Sequence, residues 1–444
     1  MMNFESKMRN CVSKTRNFVL KMMMFAELGP LCGAMLAGLS FPVWGFATFA
    51  EVYHVTSSGL VAAILVTCEW RDRRGEAEDK MIALGGLLFG LGACAHHITA
   101  ALALPALIYL AATRPTGGTD GDGTGTVSRV EYYCGALRNV CIAAGAAIVP
   151  GVVCYGWLYY VGSGHPLWNW GGVDDLEKLW WHISGKQYQV NFGQFRIEGL
   201  WVEAGRLGWL VLTSWTPLGL VVAWRGLSTM AEAGPAGALQ AERTTLLILL
   251  ALGLVFAFSY EIAEDKEGYY VTVSWVIGLA FGVGATDLLR RATQSKSKLL
   301  MLATALLVLS APIAVGVLNE GGCQRSTDIR GASFVSDIVA PMEYGGLLLT
   351  QVSPQAIPTT TRSPGILLRD WLWLLQEWQF YAPWLALHHL DGYRPDLKII
   401  DVNLVRRFWY LDYLEVHVPK YMDALRTEVD TYKAQLHLFD HELP

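Results

Sequence analysis

The sequence predicts a mainly α, polytopic helical membrane protein, with a small α/β domain at its C-terminal end. Three observations predict it. Only 16% of the 444 residues are charged and 53% are hydrophobic, whereas a soluble domain carries roughly a quarter charged residues. The apolar residues gather in blocks at 24–49, 52–69, 82–112, 136–161, 201–224, 244–260, 269–289 and 299–318, each close to or above the ~20 residues a helix needs to cross a ~30 Å hydrocarbon core. After residue 318 the pattern changes: ILLRD (366–370) and LKIID (397–401) read as strands flanking an aromatic helix interrupted at Pro383, a βαβ-like unit, and 412–438 reads as an amphipathic helical end.

Direction follows from Lys and Arg in short flanking loops. The arm before the first block carries Lys7, Arg9, Lys14, Arg16 and Lys21, and the loop after 289 carries Arg290, Arg291, Lys296 and Lys298, so both are expected on the cytosolic side. The acidic turn EIAEDKEG (261–268) suits the opposite side. Counting back from 290–298 makes 225–243 cytosolic, 162–200 luminal and 113–135 cytosolic. Counting forward from the arm makes the turn at 50–51 luminal and 70–81, with Arg71, Arg73 and Arg74, cytosolic. Block 82–112 therefore starts and ends on one side. Either it crosses twice or it dips in and returns, with its bend near His96–His97. Short or broken helices of this kind are tolerated where their backbone faces protein or a cavity. The count is nine crossings. The predicted organisation is a basic arm (1–23), a transmembrane domain (24–318, with a Gly/Thr-rich cytosolic linker in 113–135 and a luminal loop at 162–200) and a luminal α/β domain (319–444).

The eight cysteines, at 11, 32, 68, 94, 134, 141, 154 and 323, lie mostly in or beside apolar blocks. No disulfide framework is implied. The first 21 residues are polar and basic, unlike a cleavable signal peptide.

Polar groups inside or beside spans are costly, which makes them functional candidates. Glu51, opening AEVYH, is a carboxylate at a boundary that can serve as a general base or hold a metal, or simply be a solvated turn residue. His96 and His97 point to different faces of a continuous helix, so both line one site only if the helix breaks. One can hold a phosphate when protonated; the alternative is a helix–helix hydrogen bond. The loop HPLWNWGGVDDLEKLWWHISGKQYQ (165–189) mixes aromatics, among them Trp168, Trp170 and Tyr188, with Asn169, Asp174, Asp175 and His182. Such a mixture suits a sugar, and equally an interfacial aromatic belt. Asp265, in EDKEGYY (264–270), is a second candidate carboxylate, or a solvated acid in an acidic loop.

Several classes are excluded or disfavoured. No metal-ligand set with suitable spacing is present. GxSxG, P-loop, HExxH and CxxC patterns are absent. No basic stripe interleaved with aromatics supports nucleic-acid binding. No internal repeat supports a transporter.

Five stretches resemble a known family: FPVWGFATFAEVYHV (41–55), FGLGACAHHITAALALPAL (89–107), GHPLWNWGGVDDLEKLWWHISGKQY (164–188), YEIAEDKEGYY (260–270) and LHHLDGYRPDLKIIDVNLVRRFWY (387–410). In order and spacing they are similar to the multi-span membrane family that includes the O-mannosyltransferase acting on IPT domains of plexins and related receptors. The family looks like the GT-C glycosyltransferases. The resemblance implies transfer of a sugar, mannose, from dolichyl-phosphate mannose to Ser/Thr hydroxyls of luminal protein acceptors. The setting it implies is the endoplasmic reticulum membrane, with the bilayer, the lipid-linked donor and the acceptor proteins as partners and no nucleic acid. It implies no certain cofactor and leaves metal dependence open. It also implies that Glu51 and His97 line the luminal site, without making Glu51 the base; with the residue readings above, Glu51 is the candidate catalytic carboxylate, and His96, His97, Asn169, Trp170, His182, Tyr188, Asp265, Tyr269 and Arg394 are the candidate donor- or substrate-binding residues. One departure stands out. Family members carry an early luminal loop with an Asp-x-Gly-Glu-Phe type motif and then a His-Pro-Pro-Gly type stretch, and neither is found here. The alternative expectation is therefore a truncated or non-catalytic relative that binds lipid, glycan or protein.

Overall fold

The computed structural model describes residues 27–48, 52–72, 78–113, 129–166, 169, 171–186, 189, 193, 197–232, 239–260, 266–295, 297–325, 330–342, 344, 347–350, 378–405 and 407–440. The chain divides into two compact units, Met1–Cys154 with Asn191–Gln324, and Tyr155–Val190 with Arg325–Pro444. The aromatic loop after residue 155 thus shares a unit with the C-terminal segment.

In the first unit, α1 (Glu27–Gly38) is followed by α2 (Phe41–Ala47), α3 (Tyr53–Asp72), α4 (Glu78–Ala95), α5 (His97–Ala112) and α6 (Arg129–Gly162), whose last residues enter the second unit. Then come α8 (Ile197–Leu210), a π-helical turn at Val211–Trp215, α9 (Pro217–Glu232), α10 (Gln240–Ser259), a 3₁₀ turn at Lys266–Tyr270, α11 (Val271–Gln294) and α12 (Lys298–Cys323). Among the described residues four helices are long and apolar enough to cross a membrane: Val130–Gly162, Gln240–Ser259, Lys266–Gln294 and Lys298–Cys323. The number rises to six if two bent pairs are each one span.

The first bent pair, α1 with α2, turns by 64° at Leu39–Ser40, where Pro42 sits at the start of α2 and cannot continue the preceding helix's hydrogen bonding. The second turns by 83° between Trp215 and Pro217. Thr216 there has φ +55°, and Pro217 disfavours helical geometry in the residue before it. Block 201–224, a single apolar run in the sequence, is therefore two helices at a steep angle. Asn319 on α12, 2% exposed, ties both bends together. Its amide nitrogen donates to the carbonyls of Leu39 (3.1 Å) and Thr213 (3.0 Å), groups the bends release from helical pairing.

Helix α11 is the core of this unit. Of its most apolar window 67% is buried, against 6% for α6. Small residues allow the approach. A methyl group on Gly226 would stand 1.8 Å from the carbonyl oxygen of Ala280, and one on Gly284 would stand 2.0 Å from that of Val222, so α9 and α11 touch backbone to backbone.

The second unit is mostly helical, with α7 (Leu176–Ser184), α13 (Arg330–Val339), α14 (Trp378–His389), α15 (Val402–Val405), α16 (Phe408–His417), α17 (Pro419–Ala424) and α18 (Arg426–Asp440). Its sheet among the described residues is two short parallel strands, β1 (Leu347–Thr350) and β2 (Lys398–Asp401), in register Leu347 to Lys398 through Thr350 to Asp401. LKIID thus forms a strand, paired with 347–350, while ILLRD lies outside the described residues. The core gathers Val335, Val339, Trp384, Leu397, Ile400, Tyr410 and Leu414. Helix α7 shows how local sequence sets an element. The Asp175 carboxylate accepts from the Lys178 amide at 2.7 Å, and Gly185 ends the helix at φ +61°, an N-cap and a left-handed C-terminal stop.

Candidate functional site

The break between α4 and α5 falls at His96, which leaves helical geometry at φ −153°, ψ 87°. Its Nδ1 accepts from the Thr99 backbone N–H at 3.3 Å and stands 2.7 Å from the Thr99 hydroxyl. An Nδ1 that accepts from a backbone N–H leaves Nε2 to carry the proton of the neutral ring, as a donor. The imidazole is therefore fixed in tautomer by its own helix start.

His96 belongs to an aromatic cluster built from three distant stretches. The Tyr53 ring, at the start of α3, lies 5.2 Å from His96 and 5.2 Å from Tyr269. Tyr269 lies 6.0 Å from His96, 5.3 Å from Tyr260 and 5.0 Å from Phe256. Gly268 has no side chain because a methyl there would meet the Tyr53 ring at 2.6 Å. The structure thus brings His96 and Tyr269 together. His97 opens α5 beside them. Glu51, two positions before Tyr53, and Asp265, four before Tyr269, lie outside the described residues, as do Trp170 and Tyr188. Sequence reasoning did not single out Tyr53 and Tyr260. Their signal was their place inside the EVYH and YEIAED stretches.

Behind Tyr269 the next residue faces a buried ion cluster. Tyr270 donates to Glu203 on α8, which is also held by Lys266 (2.9 Å) and Arg206 (3.3 Å), and Arg206 pairs with Glu267. Two carboxylates against two cations leave this cluster neutral. It anchors the Lys266–Tyr270 turn that carries Tyr269.

A cavity of about 700 Å³ opens in the same unit, walled by Gly33 and Ala37 of α1, Val61 of α3, and Trp275, Gly278 and Leu279 of α11. Trp275 packs on the aromatic cluster. The far end carries Asp287, Arg290 and Arg291. Fifteen helical residues separate Trp275 from Arg290, roughly 22 Å of groove at ~1.5 Å per residue. Such a groove suits a hydrocarbon chain.

In the second unit Asn169 and Arg394 hold backbone. Asn169 accepts from the Val173 amide at 3.2 Å and donates to the Gly162 carbonyl at 3.3 Å. Gly172, at φ +57°, has no room for a methyl, which would meet Trp409 Cβ at 2.5 Å. His182 lies 6.4 Å ring to ring from Tyr155, and burial holds its pKa below the usual value. Arg394 donates to the carbonyls of Val339 (2.8 Å) and Met342 (3.0 Å) and makes a two-point contact with Asp396. Its guanidinium closes the C-terminal end of α13. A small crevice beside them is lined by His165, Asp174, Lys178, Trp409, Asp412 and His417, with Lys178 2.7 Å from Asp174 and 3.8 Å from Asp412. No group of three or more metal-ligating side chains occurs among the described residues.

None of the curated proteins and none of the solved structures matches the chain. A family described as "Protein O-mannosyl-transferase TMEM260 N-terminal domain" matches residues 3–117, a stretch that contains Tyr53, the helix break at His96 and His97, but not Tyr269.

Proposed function

We propose that the chain is a membrane-embedded glycosyltransferase that moves mannose from a dolichyl- or polyprenyl-phosphate donor to Ser/Thr hydroxyls of luminal proteins. The observation that carries this reading is the match of residues 3–117 to a protein O-mannosyl-transferase family. The geometry of the first unit supports it. An amphipathic donor needs an apolar groove for its chain and polar, aromatic groups for its head. The groove along α11 reaches Trp275, which packs against the cluster that holds Tyr53 and Tyr269, and His96 lies beside both rings.

In this reading the chain lies in the endoplasmic reticulum membrane with nine crossings, and His96 faces the lumen. Its Nε2–H serves as a hydrogen-bond donor to the donor phosphate. The Tyr53 and Tyr269 rings flank the sugar. Glu51 takes the proton of the acceptor hydroxyl as that oxygen bonds to the anomeric carbon. The sugar–phosphate C–O bond breaks, and the lipid phosphate leaves with the electron pair.

The test is transfer by the full chain in native membranes, with dolichyl-phosphate mannose and folded acceptor domains. Hexose added to Ser or Thr, read by mass spectrometry, is the expected result. Absence of product with intact, folded protein overturns the reading. Retained activity in Glu51→Gln removes Glu51 from it.

A further inference from the structure

The end of the α11 groove farthest from Trp275 carries charge gathered around one buried carboxylate. Asp287, its side chain 1% exposed, accepts from three arginines: Arg225 of α9 at 2.9 Å, Arg290 at 2.9 Å and Arg291 at 2.8 Å. Arg225 is spent inside the protein, because it also donates to both oxygens of Glu232 at 3.1 Å. Arg290 and Arg291 differ. Each gives one hydrogen bond among the described residues, to Asp287, out of the five N–H donors of a guanidinium. Their side chains stay 61% and 57% exposed. Both line the mouth of the groove, together with Thr229 and Thr286. Three guanidiniums against the two carboxylates of Asp287 and Glu232 leave this end with one positive charge in excess.

Away from that mouth the groove is apolar. It runs between Ala34 and Ala37 of α1 and Leu279 and Val283 of α11 as far as Trp275. Its volume of about 700 Å³ falls among the ~300–1,000 Å³ of small-ligand sites. Its length, roughly 22 Å at ~1.5 Å per residue, exceeds the ~15 Å that one leaflet contributes to a ~30 Å hydrocarbon core. A cationic mouth on a hydrocarbon-lined groove fits an amphipathic anion. A free phosphate would answer the mouth and leave the groove uncovered. A zwitterionic lipid would cover the groove and leave the excess charge unanswered. The loop charges put 225–243 and 290–298 on the cytosolic side, where the leaflet carries anionic phosphatidylserine and phosphatidylinositol.

We infer that this groove binds an anionic glycerophospholipid, whose phosphodiester sits on Arg290 and Arg291 and whose acyl chain runs along α11 toward Trp275. Asp287 holds the two guanidiniums in place before the lipid arrives, so less side-chain freedom is lost on binding. A guanidinium offers a phosphate two parallel N–H bonds. The Glu232 carboxylate at the same mouth is answered by Arg225. This lipid is a different molecule from the sugar donor proposed above, because its phosphate lies at the end of the groove away from the aromatic cluster. The chains of the two share one groove, so each excludes the other. Binding is read without any sugar transfer, and it stands or falls apart from the proposed activity.

The test uses the full chain, purified in detergent and stripped of lipid. It is titrated with dioleoyl phosphatidylinositol, with dioleoyl phosphatidylcholine and with inorganic phosphate, and bound lipid is counted by native mass spectrometry. Phosphatidylinositol is expected to bind about tenfold or more tightly than phosphatidylcholine, the worth of one charge-assisted contact, and to stay bound against an equal concentration of inorganic phosphate. Arg290→Gln combined with Arg291→Gln is expected to abolish that preference. Phosphatidylinositol with a diazirine on its acyl chain is expected to label 30–37 or 275–283, the groove-lining stretches of α1 and α11. Equal binding of the two phospholipids overturns the inference, as do displacement by inorganic phosphate, label only outside those stretches, or a preference that survives in the folded double variant. The wild-type comparison and the label decide the question if the double variant fails to fold.

Discussion

Tyr270 donates a 2.5 Å hydrogen bond to Glu203, a carboxylate only 1% exposed, across 67 residues of sequence. The other oxygen of Glu203 is shared by Lys266 and Arg206. Removing the charge while keeping the shape leaves a buried Lys266 and a half-buried Arg206 with only Glu267 to answer them. Glu203→Gln is therefore expected to destabilise the first unit by about 3–5 kcal/mol, the usual cost of orphaning a buried ion partner. Tyr270→Phe removes one bond to a charged acceptor and is expected to cost about 1.5–3 kcal/mol. Thermal unfolding in detergent micelles checks both, and a Glu203→Gln protein that melts like wild type contradicts the assignment of this cluster as an anchor.

The α9–α11 contact gives a sharper comparison, because it pits two glycines against each other. Gly226 is buried with a backbone oxygen where its methyl would go, whereas Gly205 on α8 has nothing within 4 Å. Gly226→Ala forces two backbones apart and is expected to lower stability by about 1–3 kcal/mol. Gly205→Ala meets no obstacle and improves helix propensity, so it is expected to be neutral or to gain up to ~1 kcal/mol. The melting temperatures of the two variants should move apart, and equal shifts would mean that the close approach is not what holds these helices.

How much of this is visible in the sequence depends on whether a feature is local. A bend near His96 is expected from loop charges, which ask block 82–112 to return to the side it left, and α4 does end at Ala95 with α5 starting at His97. The strand at 398–401 follows from the run LKIID. Its partner does not: a parallel pairing between 347–350 and 398–401 is set by what lies between them, and nothing in GGLLLT marks it. Glu203 carried a signal that went unused, a lone carboxylate inside the apolar helix WVEAGR, which needs a buried counter-charge. Arg206 stands three residues on in the same helix, but Lys266 and Tyr270 come from a turn more than 60 residues further along the chain, and no spacing rule connects Glu203 to that turn. The steep bend at Thr216 was masked because block 201–224 is apolar throughout, and only Pro217 hinted at it.

Arg394 tests whether a motif residue works on substrate or on its own fold. Its guanidinium reaches the carbonyls of Val339 and Met342 and both oxygens of Asp396. An ammonium group cannot reproduce that fork. Arg394→Lys is expected to destabilise the second unit, with faster hydrogen exchange in α13 and in the turn before β2. The first unit should be unaffected. A variant with unchanged exchange and impaired transfer would instead assign Arg394 to the substrate.

The second unit also carries a pH dependence whose sign is fixed by burial. Burial lowers the pKa of His182, His388, His389 and His417 in the folded protein; the charge of Lys398 adds to this for the last three, and that of His165 for His417. Above about pH 6.5, the ordinary histidine value, these rings are neutral in both the folded and unfolded chain and contribute no pH dependence. As pH falls below that value the unfolded chain takes up protons that the folded unit refuses, and stability falls with it until the folded pKa values are reached. The rings are in close contact: His388 lies 4.6 Å from His389 and 4.5 Å from Trp384, and His417 lies 4.3 Å from Tyr413. Protonation therefore strikes the packing of α14 and α16 directly. Hydrogen exchange of peptides from 378–417, corrected for the intrinsic pH effect, is expected to accelerate between pH 7.5 and pH 5.5, while peptides from α11 stay protected. His389→Asn, which removes one of the four titrating rings, is expected to shallow that dependence, and an unchanged slope would place its source elsewhere in the unit.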